Sequence, residues 1–248
     1  MPNNKRFERH YDLVDTRKLA KTKVMMIGLG SLGSWAMLNM IKMGIQHIIA
    51  YDNDKVNVEN FSNQIYSHID AGLNKTDAMT SIIDIYLDED DKCKFKFVNK
   101  KFTGGTFKYD IIISAVDNME ARKDIWKSAR DSLNCQLFLD ARMGGSLIQM
   151  YCIDMSNQDD IKWFEDPNWE NLFKDGKEEP LKCTEKGIIH AAQTCAAHYT
   201  NAIASWSNGT LKNYPRWIQM DLTWKSLPVY SWREGAKCLP MQPNVLST

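Results

Sequence analysis

An α/β fold, with a mostly parallel sheet covered by helices on both faces and an irregular C-terminal extension, is predicted by three features of the chain. Short apolar runs alternate with stretches of helical periodicity over the first two thirds. One run, Val24-Met25-Met26-Ile27, enters Gly28-Leu29-Gly30-Ser31-Leu32-Gly33, a strand-to-helix turn of Rossmann-like type. Another, 109–115, reads as a strand buried on both faces.

Each element follows from local composition. After the glycine loop, Trp35, Met37, Leu38, Met40, Ile41 and Met43 recur at helical spacing up to Gly44, a residue type that ends helices. The methionines read as packing, because a flexible thioether fills irregular gaps. A second strand, 48–51, ends at Asp52. A helix at 76–87, strands at 94–98 and 109–115, a helix at 120–132, a short strand at 136–139 and an alternating one at 146–153 continue a βαβαβ order. Residues 157–180 are polar, aromatic and turn-rich and read as a crossover loop. A helix resumes at 187 and runs to about 205, and Trp217, Trp224, Tyr230 and Trp232 lie in strand-like segments broken by Pro215 and Pro228. One domain over 1–248 is expected: a nucleotide-binding half at 1–155, the crossover loop at 156–186, and a C-terminal helix with aromatic strands at 187–248.

Composition narrows the function. With 248 residues and 44% hydrophobic content the chain can bury a full core, and 31 Lys+Arg balance 31 Asp+Glu, so nothing draws it to nucleic acid or an anionic membrane. No apolar run is long enough to span a bilayer, and residues 1–10 are polar and charged, unlike a signal peptide, so a cytoplasmic location is expected. The six cysteines include no C-x-x-C pair, which argues against a disulfide framework and a tetrathiolate site; no zinc is expected. Cys135, Cys152 and Cys195 fall in apolar segments and read as core. His190 and His198 lie two helical turns apart without a matching third ligand.

The chemistry lies in polar residues near the glycine loop. Glycines at this spacing let phosphate oxygens approach N–H groups at a helix N-terminus, and the acid ending the second strand can grip a ribose. A dehydrogenase would continue to another strand, but here Asp52-Asn53-Asp54, Asn60, Gln64 and Lys75 crowd beside the phosphate site, and Asp117-Asn118 follows a later strand. That set suits Mg-ATP. Plainer readings exist for each: Asp52 as a strand-end turn, Lys75 as a solvated helix-start lysine, Asp117-Asn118 as a helix N-cap. An NAD-linked oxidoreductase accounts for the glycines and Asp52 and leaves Asn60, Lys75 and Asp117 unexplained.

Taken together, Gly-x-Gly-x-x-Gly, Asp52-x-Asp54, Asn60-x-x-x-Gln64, Gly72-x-x-Lys75, Asp117-Asn118-x-x-x-Arg122 and Arg6-Phe7-Glu8-Arg9-His10 resemble the ThiF/MoeB/ubiquitin-activating adenylyltransferase family over roughly 6–201. The resemblance implies that a carboxylate attacks the α-phosphate of ATP, giving an acyl-adenylate and pyrophosphate. A carboxylate is already ionised at neutral pH, so catalysis reduces to holding it in line and neutralising charge on the triphosphate. By the same resemblance, ATP and Mg²⁺ are the cofactors and Asp52 binds the ribose. Asn60 and Lys75 then bind the phosphates, Asp117 binds the metal, and Gly28, Gly30, Ser31, Leu32, Gly33, Gln64 and Asn118 complete the nucleotide site. Arg9 would reach the triphosphate from a partner subunit, making a homodimer part of the mechanism. The carboxylate would be the C-terminus of a ubiquitin-like or sulfur-carrier protein; a small-molecule or peptide carboxylate, or a non-catalytic scaffold, are the alternatives.

Two positions need separate treatment. The family carries an arginine directly before the residue that Gln64 matches, and this chain has Asn63. Arg122 and Arg142, the latter in Asp140-Ala141-Arg142-Met143-Gly144-Gly145, are candidate replacements, with a salt-bridging arginine as the plainer reading of Arg142. Cys183 precedes the predicted helix at 187. A helix N-terminus with Lys182 and Lys186 nearby favours a thiolate, and the resemblance implies an acyl acceptor; a buried small residue is the other reading.

Overall fold

A computed structural model of the chain describes residues 5–87, 94–166, 187–223 and 227–236. Its organising strand is β1 (Lys23–Ile27), buried from Val24 onward. β1 pairs in parallel with β2 (His47–Tyr51) on one side and β4 (Ile111–Ser114) on the other. β3 (Phe95–Val98) adds in parallel beside β2, and β5 (Leu137–Gly144) beside β4. β6 (Leu147–Asp154), β7 (Trp217–Asp221) and β8 (Val229–Ser231) follow antiparallel, giving an eight-stranded sheet in the order β3-β2-β1-β4-β5-β6-β7-β8.

Alternate strand residues pack on opposite faces, as a two-residue side-chain period demands. Val24, Met26, Ile48, Ala50, Ile111, Ile113, Leu137 and Leu139 meet one helical layer: α1 (Thr16–Lys21), α2 (Ser31–Met43), α3 (Lys75–Asp84) and α6 (Ile189–Ser207). Met25, Ile27, Ile49, Ile112 and Phe138 meet the other, formed by α4 (Met119–Arg130) and α5 (Gln158–Phe164). Helices therefore cover both faces, as the alternation of strands and helices predicts. Met37 and Met40 are fully buried between the sheet and α6, and Gly44 ends α2 at φ 105, a conformation that favours glycine. Cys135, Cys152 and Cys195 are buried core residues whose thiols burial pushes up to about 12.

Several elements differ from the sequence expectation. α3 ends at Asp84, before the expected 87, because the apolar face runs out: Ile85 is 78% exposed. β5 runs on to Gly144, beyond 139, because β6 pairs with its whole length. Residues 157–180, expected as loop, open with α5. Asn157 caps this helix, and Phe164 packs edge-on against Tyr151 and Phe138. α1 and the 3₁₀ helix Lys5–His10 have no counterpart in the reading of the sequence. Asn208, at the end of α6, holds this N-terminal segment by accepting from Asp15 N (2.9 Å) and donating to Leu13 O (2.7 Å).

The C-terminal strands are fastened by a buried charge. Arg233 is 5% exposed; its Nε donates to Asp160 Oδ2 of α5 (2.7 Å), and its other nitrogens donate to the carbonyls of Leu211, Tyr214 and Cys152. Removing one partner of a buried pair leaves the other charge uncompensated. Asp160→Ala should therefore lower unfolding free energy by about 3–5 kcal/mol, read from urea titration. A loss below about 1 kcal/mol would show that Arg233 is adequately satisfied by carbonyls alone.

Candidate active site

Strand register assembles the site. Tyr51, Ile27, Ser114 and Asp140 end or mark the same level of four adjacent parallel strands, because Ile27 pairs with both Tyr51 and Ser114, and Ser114 with Asp140. The next residues, Gly28, Asp52 and Ala115–Val116–Asp117, thus leave the sheet at one edge, while Ala141 and Arg142 continue past that level in β5, paired with β6. The connections from β1 and β4 diverge there, which is where open α/β sheets bind ligands.

The glycine loop is shaped by close approach. Gly28 has φ 98, and a Cβ on it would lie 2.4 Å from Ala115 O; a Cβ on Gly33 would lie 2.0 Å from Gly28 O. Gly30, the N-cap of α2, differs: a Cβ there would meet nothing within 4 Å. Its missing side chain leaves open space at the helix N-terminus, a cradle where backbone N–H groups and the helix dipole favour anions. Ser31 and Leu32 begin the helix behind it.

Asp52 is wired into this loop. Its Oδ2 accepts from Leu29 N (2.6 Å) and its Oδ1 from Asp54 N (2.8 Å). Burial pushes its carboxyl above the ordinary range, and Lys75 pulls the other way. Lys75, 6% exposed, places its ammonium 2.9 Å from Asp54. The 20-residue excursion between them closes on itself: Val56 N donates to Leu73 O, Gly72 N to Val56 O and Lys75 N to Asp54 O, each at 2.9 Å. Asn60 closes a capping box with Asn57 inside that excursion and is half-buried. Gln64 is buried with an unpartnered Oε1.

Asp117 is exposed on the loop after β4. Asn118 caps α4, accepting from Ala121 N at 2.8 Å. Arg122 is buried between Asp140 and the carbonyl of Val116, so it braces this loop from below and is committed to the fold. Arg142 is half-buried; its Nε lies 3.3 Å from the shared Asp140, and its guanidinium covers the Tyr151 ring at 4.8 Å. Asn63 donates from Nδ2 to Gly187 O (3.3 Å), where the chain returns to α6.

Of the residues singled out from the sequence, the glycines, Asp52, Gln64, Lys75, Asp117 and Arg142 thus gather at or beside one sheet edge. Arg9 is placed elsewhere. Its 3₁₀ helix packs at the far end of α2, where Arg6 donates to Ile41 O (3.3 Å) and Phe7 lies against Gly44. The 13 residues of α2 put that end about 20 Å from the glycine loop of the same chain. Cys183 lies outside the described residues. His198 is hydrogen-bonded to Tyr214 (3.1 Å) and His190 is exposed. Missing from the sequence reading were Tyr66, whose hydroxyl donates to Leu29 O (2.8 Å), and Asp140, which holds both arginines. Asp140 could have been noted as an acid inside an apolar strand; Tyr66 carried no signal beyond its place two residues after Gln64.

The ThiF family model matches residues 7–223. The chain belongs to the ThiF family. It is 24% identical over 184 residues to the molybdopterin-synthase adenylyltransferase of Haemophilus influenzae, covering 72% of this chain and 71% of that one. Against ubiquitin-like modifier-activating enzyme 5 of Culex quinquefasciatus it is 29% identical over 123 residues, 44% of this chain, and spans only 31% of the relative's length. The crystal structure of Escherichia coli MccB with ATP shares the fold with a TM-score of 0.64 at 16% identity, over 92% of this chain and 71% of that one.

The two glycines separate fold from ligand. Gly33→Ala should destabilise the protein by about 1–3 kcal/mol through the backbone clash. Gly30→Ala, which meets only open space, should stay within about 1 kcal/mol of wild type and weaken nucleotide binding. Urea unfolding with isothermal titration of Mg-ATP reads both; equal destabilisation by the two would count against the cradle.

Proposed function

We propose that this ThiF family protein is an adenylyltransferase that activates a carboxylate with Mg-ATP, releasing pyrophosphate. The observation that carries this reading is the set of charges around the glycine loop: Asp52 on the Leu29 amide, and Lys75 buried beside Asp54 at the same sheet edge. A dinucleotide site has no use for a buried lysine there. The open space at Gly30 fits a polyphosphate ligand, and the exposed carboxylate of Asp117 fits Mg²⁺, which is commonly held by one or two carboxylates plus phosphate oxygens. Mg²⁺ would supply charge neutralisation on the phosphates.

The protein's own part is positioning. Asp52 orients the ribose, the N–H groups at the start of α2 and the ammonium of Lys75 hold phosphate oxygens, and Arg142 adds a cation from β5 at the position the chain can offer in place of Asn63. The carboxylate attacks the α-phosphorus in line as pyrophosphate leaves, and no proton has to move. The acceptor class is the C-terminus of a ubiquitin-like or sulfur-carrier protein, in keeping with the names of the relatives; the Cys183 thiolate would then take the acyl group as a thioester, breaking the acyl–phosphate bond and releasing AMP. Arg9, about 20 Å from its own loop along α2, would serve the loop of a second subunit in a homodimer. Asn63, donating to Gly187 O where a cation would be expected, favours a second reading, a nucleotide-binding scaffold without turnover.

ATP–pyrophosphate exchange should depend on an added carrier-protein or peptide carboxylate. Asp117→Ala and Arg142→Ala should each lower it about 10²–10³-fold, the cost of losing one charge-stabilising group. Cys183→Ser should leave exchange intact and block transfer to an acceptor thiol. Tight ATP binding with no exchange under any carboxylate would decide for the scaffold, and NAD binding without ATP binding would sink both readings.

Mixing Arg9→Ala subunits with Asp117→Ala subunits should restore part of the activity, because one site of each heterodimer is then whole. Absence of rescue despite demonstrated subunit exchange would rule against Arg9 acting in trans.

A further inference from the structure

The Leu29 peptide at the tip of the glycine loop is held from both ends. Its N–H donates to Asp52, and its carbonyl accepts from Tyr66 Oη at 2.8 Å. The same hydroxyl lies 3.5 Å from the carbonyl of Lys75, the first residue of α3. Tyr66 is 3% exposed, and its segment is pinned to α2, where Ser34 Oγ accepts from Ile65 N (3.2 Å) and Trp35 Nε1 donates to Asn63 O (3.1 Å). Burial and the neighbouring carboxylates of Asp52, Asp70 and Asp54 raise its hydroxyl well above the ordinary phenol range, so it keeps its proton and remains a donor at any working pH. A ring filling this volume would need no hydroxyl for packing alone.

We infer that Tyr66 is a positioning residue: by donating its one hydroxyl proton to Leu29 O, with Lys75 O alongside at 3.5 Å, it holds the glycine loop at a fixed distance from the first turn of α3, and so fixes the phosphate cradle relative to the Lys75 ammonium. The role rests on the Mg-ATP reading above. A triphosphate needs both elements at once, whereas an adenosine needs only the Asp52 side of the loop. Loss of the hydroxyl therefore acts on phosphate binding and spares the nucleoside.

Tyr66→Phe keeps the ring and removes only the donor. In isothermal titration, the Kd for Mg-ATP should rise about tenfold, the effect of one buried hydrogen bond, while that for adenosine stays within about twofold. Amide hydrogen exchange in the ligand-free protein should speed up in the glycine loop. An unchanged Mg-ATP affinity, or equal losses for ATP and adenosine, would overturn the assignment. Wild-type protein that binds no Mg-ATP would refute the nucleotide reading itself; the positioning role would then be decided by the exchange rates, with unchanged loop protection in Tyr66→Phe counting against it.

Discussion

The whole site depends on the parallel hydrogen bonding of β1 to β2 and β4. Parallel pairing makes the carboxyl ends of neighbouring strands finish at one level, so the loops that follow Ile27, Tyr51 and Ser114 start side by side although they are dozens of residues apart in sequence. Because the chain leaves β1 toward β2 on one side and reaches β4 on the other, the loops also diverge, opening a crevice above β1. The almost continuous burial of these strands is what specifies the arrangement, since a strand with two apolar faces has nowhere to go but the middle of a covered sheet.

Onto that edge the protein concentrates buried charge. Asp52, Lys75, Arg122 and Asp140 are each removed from water to some degree, and every one has a charged or backbone partner. Charges in such surroundings are costly alone, and hydrogen bonds to charged groups contribute about 1.5–3 kcal/mol only when both partners are in place. The pairs divide the work. Arg122 with Asp140 stiffens the loop that carries Asp117, while Asp54 fixes the Lys75 ammonium at 2.9 Å. Asp160 with Arg233 plays the purely architectural part at the other end of the molecule, tying α5 to the segment after β8.

The legibility of these features followed their range in sequence. The glycine loop, β1, α2 and Asp52 form one continuous stretch, and there local pattern sufficed: the strand, the helix and the stop at Gly44 all lie where periodicity puts them. α5 was hidden because its stability comes from partners far along the chain, among them Phe138 and Arg233, rather than from its own short polar sequence. The N-terminal segment was hidden for the same reason, since Asn208 lies 193 residues from Asp15. Arg122 shows a subtler limit. A basic residue near a ligand site can serve either the ligand or the fold, and sequence spacing does not distinguish a free guanidinium from one clasped by Asp140.

What the sequence by itself determined is the class of fold, the edge of the sheet that matters and the inventory of polar groups available there, because glycine spacing, strand hydrophobicity and the Asp52-x-Asp54 to Lys75 pattern are local or nearly local quantities. Only the tertiary structure decided which groups are spent on the protein and which face outward: Arg122 turned inward to brace, Arg9 carried to the far end of α2, and Tyr66 drawn under the Leu29 carbonyl. Those outcomes depend on distances between segments brought together by packing, and no single stretch of chain encodes a distance to another.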